Sequence, residues 1–109
     1  MSGKNMSYKI GPSSIEGNGI IATKTISKGQ IIGKAYDIIG KTPAGYIIGN
    51  SHTLGTYHNH SSNPTAKPII KRNDVVFTAI NDIQPQEEIT CNYSEYESLS
   101  ILNLEKPQW

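Results

Sequence analysis

Apolar residues in this chain come in short β-branched runs, each cut off by glycine, proline, asparagine or serine, and that punctuation points to a fold built mostly of strands. The pattern predicts strands over residues 8–10, 19–23, 30–39, 67–71, 75–80 and 88–93. The turns between them have chemistry to match. Ser27-Lys28-Gly29 supplies a glycine for positive φ, Lys71-Arg72-Asn73-Asp74 closes a hairpin, and Gln84-Pro85-Gln86 presets a bend. Residues 26–31 and 83–89 both read as strand, turn, strand, a similarity too short to be called a repeat. Residues 40–54 are polar and glycine-rich without a clear period, and are expected to form an irregular connection with at most one helical turn. From Ser94 onward, Tyr96, Leu99, Leu102 and Leu104 allow a short amphipathic helix, stopped by Pro107.

A chain of 109 residues holds one domain with one modest core. Ten basic and nine acidic side chains leave a net charge of +1, too weak a field to argue for direct nucleic-acid or membrane binding. The single cysteine, Cys91, excludes an internal disulfide and any zinc site built on several thiolates. Lys4 and Lys9 lie among small polar residues rather than beside a signal-peptide core, and no run approaches the roughly 18 apolar residues of a membrane span. The expected location is therefore soluble and intracellular.

Four groups of residues could carry chemistry. Gly17-Asn18-Gly19 enters the strand Ile20-Ile21-Ala22, where two glycines let backbone approach a ligand; alone it is equally a glycine-rich turn. His58 and His60 alternate, and His52 is near enough in sequence to suggest a three-histidine metal site. The pattern also resembles the metal motif of small cupins, but Asn63, Pro64 and Thr65 stand where a glutamate is needed, so no metal is expected. Asn59-His60-Ser61-Ser62-Asn63-Pro64 reads physically as a polar corner, and Glu87-Glu88-Ile89-Thr90-Cys91-Asn92-Tyr93 as a half-buried strand. Neither reading explains why both occur together, in this order.

Taken together, the glycine turn, the polar corner and the half-buried strand resemble the three signature segments of SET-domain protein-lysine methyltransferases, over roughly residues 9–96. The Gly-x-Gly turn is similar to Gly17-Asn18-Gly19, the Asn-His-Ser segment to Asn59 through Thr65, and the Glu-Glu-Leu-Thr-x-x-Tyr strand to Glu87 through Tyr93. The length is similar to that of the minimal viral members. The resemblance implies a mostly β, β-clip fold of several short curved sheets, with little helix and a pseudoknot-like C-terminal crossing. It implies S-adenosylmethionine as cofactor and, as substrate, a protein or peptide carrying a lysine, a histone tail among the candidates. It also leaves room for a homodimer.

By the same resemblance, Tyr93 is the catalytic tyrosine. Gly17, Asn18, Gly19, Tyr57, Asn59, His60, Tyr93 and Trp109 would hold the cofactor, with Trp109 and the segment after residue 96 covering the site. Tyr46, Tyr57, Cys91, Tyr93 and Tyr96 would line the lysine channel. With an ordinary pKa near 10, Tyr93 suits an organising role better than that of a base. Several positions depart from the family pattern: Cys91 stands where many relatives carry a phenylalanine or tyrosine that limits how many methyl groups are added, Tyr57 replaces a common phenylalanine, Ser62 replaces cysteine, Thr65 asparagine, Ser94 glycine, and Gln86 the glycine before Glu87. A SET-like module that binds a partner without turnover is the rival reading.

Overall fold

The computed structural model describes residues 6–102. Its elements run β1 (Tyr8–Pro12), β2 (Asn18–Ala22), β3 (Ile31–Thr42), β4 (Gly45–Ser51), α1 (Thr53–Tyr57), β5 (Asn59–His60), β6 (Ala66–Lys71), β7 (Asp74–Ala79), β8 (Glu88–Cys91), α2 (Ser94–Ser98) and β9 (Ile101–Leu102). All six strands expected from the β-branched runs are present. They form two sheets, one in the order β1-β2-β8-β5 and one in the order β6-β7-β3-β4-β9. One apolar cluster joins the two, with Ile20, Ile26, Leu54, Phe77, Ile83, Ile89 and Tyr96 buried. Burying an aliphatic or aromatic side chain of this kind contributes about 1.5–3 kcal/mol. β2 and β7 show little of the alternation of a half-exposed strand, because both of their faces are covered.

Residues 40–54 depart from expectation. They complete β3, turn at residues 42–45, return as β4 and then make the one turn of α1. β4 is half-buried along most of its length, so its sequence carries no two-residue period, and bulges in the β3 pairing blur the register further. Its strand character comes from its partners, β3 on one side and β9 on the other.

The predicted C-terminal helix is also shorter than its apolar spacing suggests. α2 ends at Ser98, the chain takes a left-handed turn at Ser100 (φ 58°), and Leu102 lies on β9. Pairing Ile101 and Leu102 with Tyr46 and Ile47, and burying Ile101, outweighs helix continuation. Leu104, Pro107 and Trp109 lie outside the described residues.

Both parallel strand pairs among the described residues involve the last part of the chain. Asn59 and His60 pair in parallel with Thr90 and Cys91, while Tyr46 and Ile47 pair in parallel with Ile101 and Leu102. Residues 88–102 therefore follow residues 46–60 at both ends, which is the crossing that the resemblance implies.

The turns at 27–30 and 84–87 form a matched pair. Ile26 and Ile83 exchange both backbone hydrogen bonds at 2.8 Å. In one turn Gln30 N–H donates to the Ser27 carbonyl (2.9 Å) and Gly29 N–H to Ala79 (2.8 Å); in the other Glu87 N–H donates to Gln84 (3.1 Å) and Gln86 N–H to Ala22 (2.8 Å). Even the side chains correspond, since Gln30 Oε1 accepts Ser27 N–H at 3.1 Å and Glu87 Oε1 accepts Gln84 N–H at 2.7 Å. Both are type II turns, whose third residue needs positive φ. Gly29 supplies it at 89°, and Gln86 adopts it at 79°.

Candidate active site

β8 brings the three sequence segments together. On one side it pairs antiparallel with β2 (Ile20 with Ile89, Ile21 with Glu88), and on the other parallel with β5. Thr65 fastens the end of the second segment to this strand: its hydroxyl donates to the Glu88 carbonyl and accepts the Thr90 N–H, both at 3.0 Å. The polar corner after His60 is thus tied to β8 rather than free.

Tyr93 follows β8 and stands at the N-terminal end of α2. Its N–H donates to His60 Nδ1 at 3.0 Å, which places the neutral imidazole's proton on Nε2. Its hydroxyl donates to the His58 carbonyl at 3.1 Å. The ring packs against His58 and His60, with centroids 5.3 and 5.0 Å away. Burial raises the phenol above its ordinary value, so Tyr93 stays protonated at neutral pH and acts as a donor.

Beneath it, His58 is buried and donates through Nδ1 to the Gly55 carbonyl at 2.9 Å. Its Nε2 then accepts the Tyr96 hydroxyl at 3.0 Å. Tyr36 donates to the same Gly55 carbonyl at 3.0 Å and meets Tyr96 edge to face. This buried polar chain fixes the backbone at His58, between α1 and β5, on which the Tyr93 hydroxyl rests. His52 binds Asp37 at 2.9 Å, so the three histidines serve three different partners. Among the described residues no group of His, Cys, Asp and Glu is arranged to hold a metal ion.

On the opposite edge, the loop of residues 13–19 reaches β5 through Asn59, whose Nδ2 lies 3.0 Å from Ser13 Oγ and 3.2 Å from the Glu16 carbonyl. Gly17 has φ 52°, and Gly19 is packed so closely that a Cβ would run into the Glu88 carboxylate and Asn59 amide.

A family model for the SET domain matches residues 43–94, the stretch that contains Asn59, His60 and Tyr93. That stretch is SET-domain sequence, and the fold is the SET-domain fold. Among solved structures, the SET domain is similar to a candidate histone methyltransferase of Plasmodium falciparum, with 26% identity over 82% of this chain and 94% of that one, and a TM-score of 0.65. The methyltransferase domain of human PR domain-containing protein 2 aligns over 98% of this chain and 84% of its own at 17% identity, TM-score 0.63. A humanized mutant of the Chaetomium thermophilum Polycomb Repressive Complex 2, bound to the inhibitor GSK126, aligns at 22% identity, TM-score 0.65; it covers 79% of this chain and 14% of that one. The last two likenesses concern the fold alone. Comparison with curated protein sequences gives no match.

Within the SET domain, Gly17, Asn18, Gly19, Asn59, His60 and Tyr93 gather around β8 and β5. Tyr96 joins the ring cluster with Tyr93 (6.2 Å), and Cys91 lies fully buried at the end of β8, where burial pushes its thiol up. Tyr57 ends α1 with its side chain exposed. Tyr46 lies on β4, under the Lys41 ammonium at 5.2 Å. Among the described contacts neither Tyr46 nor Tyr57 stacks with Tyr93. Trp109 lies outside the described residues.

Sequence reasoning passed over Ser13, His58 and Glu88 as site residues. Glu88 stood within the third segment, but its partner Ser13 is 75 positions away, and no local pattern connects them. His58 had a legible sign in its alternation with His60, but alternation does not tell which of the two is buried and which exposed.

Proposed function

We propose that this chain transfers a methyl group from S-adenosylmethionine to the ε-amine of a lysine in a protein, a histone tail being one candidate substrate. The observation that carries the reading is the Tyr93 hydroxyl, held protonated against the His58 carbonyl where β8 brings Asn59, His60 and the 13–19 loop together. The residues fit the cofactor in three respects. The loop rim is exposed backbone without a Cβ at Gly17, the exposed His60 ring has its Nε2–H available, and Tyr93 offers a half-buried aromatic face beside it. Gly17, Asn18, Gly19, Asn59 and His60 would hold the cofactor, with Tyr57 and Trp109 as further aromatic surface. When bound, S-adenosylmethionine supplies an electrophilic methyl carbon on a positively charged sulfur.

The chain's own contribution is orientation and desolvation. A lysine of ordinary pKa 10.4 costs roughly 4 kcal/mol to deprotonate near pH 7.4. A channel walled by tyrosines, Tyr46, Tyr57, Tyr93 and Tyr96 in this reading, would strip water from the ammonium and lower that cost. The Tyr93 hydroxyl orients the amine without removing its proton, because a phenol raised above its usual value is a poor base at neutral pH. Cys91 is smaller than the phenylalanine or tyrosine usual at that position of the family, which extends the proposed product to di- and trimethyl-lysine.

Calorimetry with S-adenosylmethionine, followed by transfer of labelled methyl to lysine peptides and proteins, tests the reading with Tyr93→Phe as control. The variant keeps the ring and loses the hydroxyl, so cofactor binding should persist while transfer falls by about 10²-fold or more. Binding without transfer by the intact chain, across a broad protein substrate panel, would favour a partner-binding module.

A further inference from the structure

Glu88 opens β8 opposite Ile21, and its carboxylate turns toward the loop that leads into β2. The Ser13 hydroxyl lies 2.8 and 3.0 Å from the two carboxylate oxygens. It donates there, because a carboxylate only accepts, and its two lone pairs are shared among the N–H groups of Ile15 (2.8 Å) and Glu16 (3.2 Å) and the Asn59 amide (3.0 Å). Asn59 Nδ2 also donates to Glu88 Oε2 at 2.9 Å and lies 3.2 and 3.4 Å from the Glu16 and Asn18 carbonyls. One carboxylate thus receives donors from both the 13–19 loop, through Ser13, and β5, through Asn59. Ser13 N–H closes the loop on itself by donating to the Gly17 carbonyl at 2.9 Å.

The polarity of this cluster is set. A hydroxyl and an amide both direct protons at Glu88, and an ionised carboxylate accepts all of them with charge-assisted strength. A carboxamide of the same shape would turn an NH2 group against one of those donors. Gly19 belongs to the same arrangement, because an added Cβ would collide with Glu88. Residues 14–17 are otherwise the exposed tip of the β1–β2 hairpin, which closes with Pro12 opposite Asn18.

We propose that Glu88 is a positioning residue: its carboxylate clasps the 13–19 loop to β5 and β8 and so sets the backbone rim on which the cofactor docks. This rests on the function proposed above, and the two can fail separately. The test uses the full chain with Glu88→Gln and, as a second route, Ser13→Ala. Amide hydrogen exchange by NMR without cofactor reads the clasp at Ile15 and Glu16; calorimetry with S-adenosylmethionine reads docking. Both variants should speed exchange at Ile15 and Glu16 and weaken cofactor affinity by about tenfold or more. Core amides such as Phe77 should stay protected, and if Glu88→Gln loses that protection the cofactor affinity of Ser13→Ala carries the reading, since its lost hydroxyl by itself frees the Ile15 and Glu16 N–H groups. Unchanged exchange at Ile15 and Glu16 overturns the clasp whether or not the cofactor binds. Faster exchange with unchanged affinity overturns the positioning role. If the wild-type chain binds no cofactor, the proposed function and the positioning role both fall, and the exchange data judge the clasp by itself.

Discussion

The matched turns at 27–30 and 84–87 offer an experiment with its own control. Both need positive φ at the third position, and only one has glycine there. A side chain in the left-handed region costs roughly 1–2 kcal/mol, while glycine's extra freedom in the unfolded chain returns about 0.5–1 kcal/mol of that. Gln86→Gly should therefore stabilise the protein by about 0.5–1 kcal/mol, because the Gln86 side chain is exposed and its backbone bond to Ala22 survives. Gly29→Gln should destabilise it by about the same amount. A Cβ at Gly29 meets nothing within 4 Å, so backbone strain is the whole effect. Equilibrium urea unfolding of the two variants and their double should show midpoints displaced in opposite directions by a few tenths of a molar, for slopes of about 1–3 kcal/mol/M. The double variant should return near the wild type, since the effects add for independent turns. A Gln86→Gly protein no more stable than wild type, or a Gly29→Gln protein that loses nothing, would refute the argument that φ governs these positions.

Other expectations follow from the buried groups. Burial raises Cys91, Tyr36 and Tyr96 above their ordinary values, so each contributes stability that is complete below its unfolded pKa and is lost as pH rises toward the folded one. Urea stability should fall above about pH 8.5, where an unfolded thiol ionises, and more steeply above about pH 10; Cys91→Ala should remove the first step. Phe77→Ala, at a fully buried position, should cost about 3–5 kcal/mol, read by the same unfolding titration. Gly19→Ala should displace the Glu88 carboxylate and weaken S-adenosylmethionine binding with little change in thermal midpoint; an unaltered affinity would show that the rim tolerates the change.

The parts of this fold legible in the sequence are those whose cause is local. Val75, Phe77 and Ile89 announce strands by residue type, and Lys71-Arg72-Asn73-Asp74 forms its hairpin although Arg72 must take φ 58°. β4 was not legible, because its residues face partners on both sides and its strand state depends on Ile101 and Leu102, more than fifty positions later. The end of α2 at Ser98 escaped for the same reason: the pairing of β9 with β4 decides it, and helix spacing does not. In the site, the Asn59-His60 and Glu87–Tyr93 motifs pointed to the strands that do meet, β5 and β8. The depth of each side chain was hidden. Nothing in the local sequence separates buried His58 from exposed His60, or distinguishes Tyr57, exposed at the end of α1, from Tyr96, enclosed in the core.

The parallel pairing of residues 88–102 with residues 46–60 has a consequence for synthesis. During translation β2, β4 and β5 emerge well before the strand that lies between β2 and β5 and the strand that borders β4. Until then the nascent chain has an open gap at the centre of one sheet and a bare edge on the other, and the loop closures needed to fill them are long. The Tyr93 hydroxyl would reach its carbonyl only after that late closure. A ribosome-bound chain ending before residue 88 would thus carry most of the apolar cluster and none of the contacts that hold Tyr93. Such a chain is the stage at which a chaperone or a protease would find the most exposed strand edge.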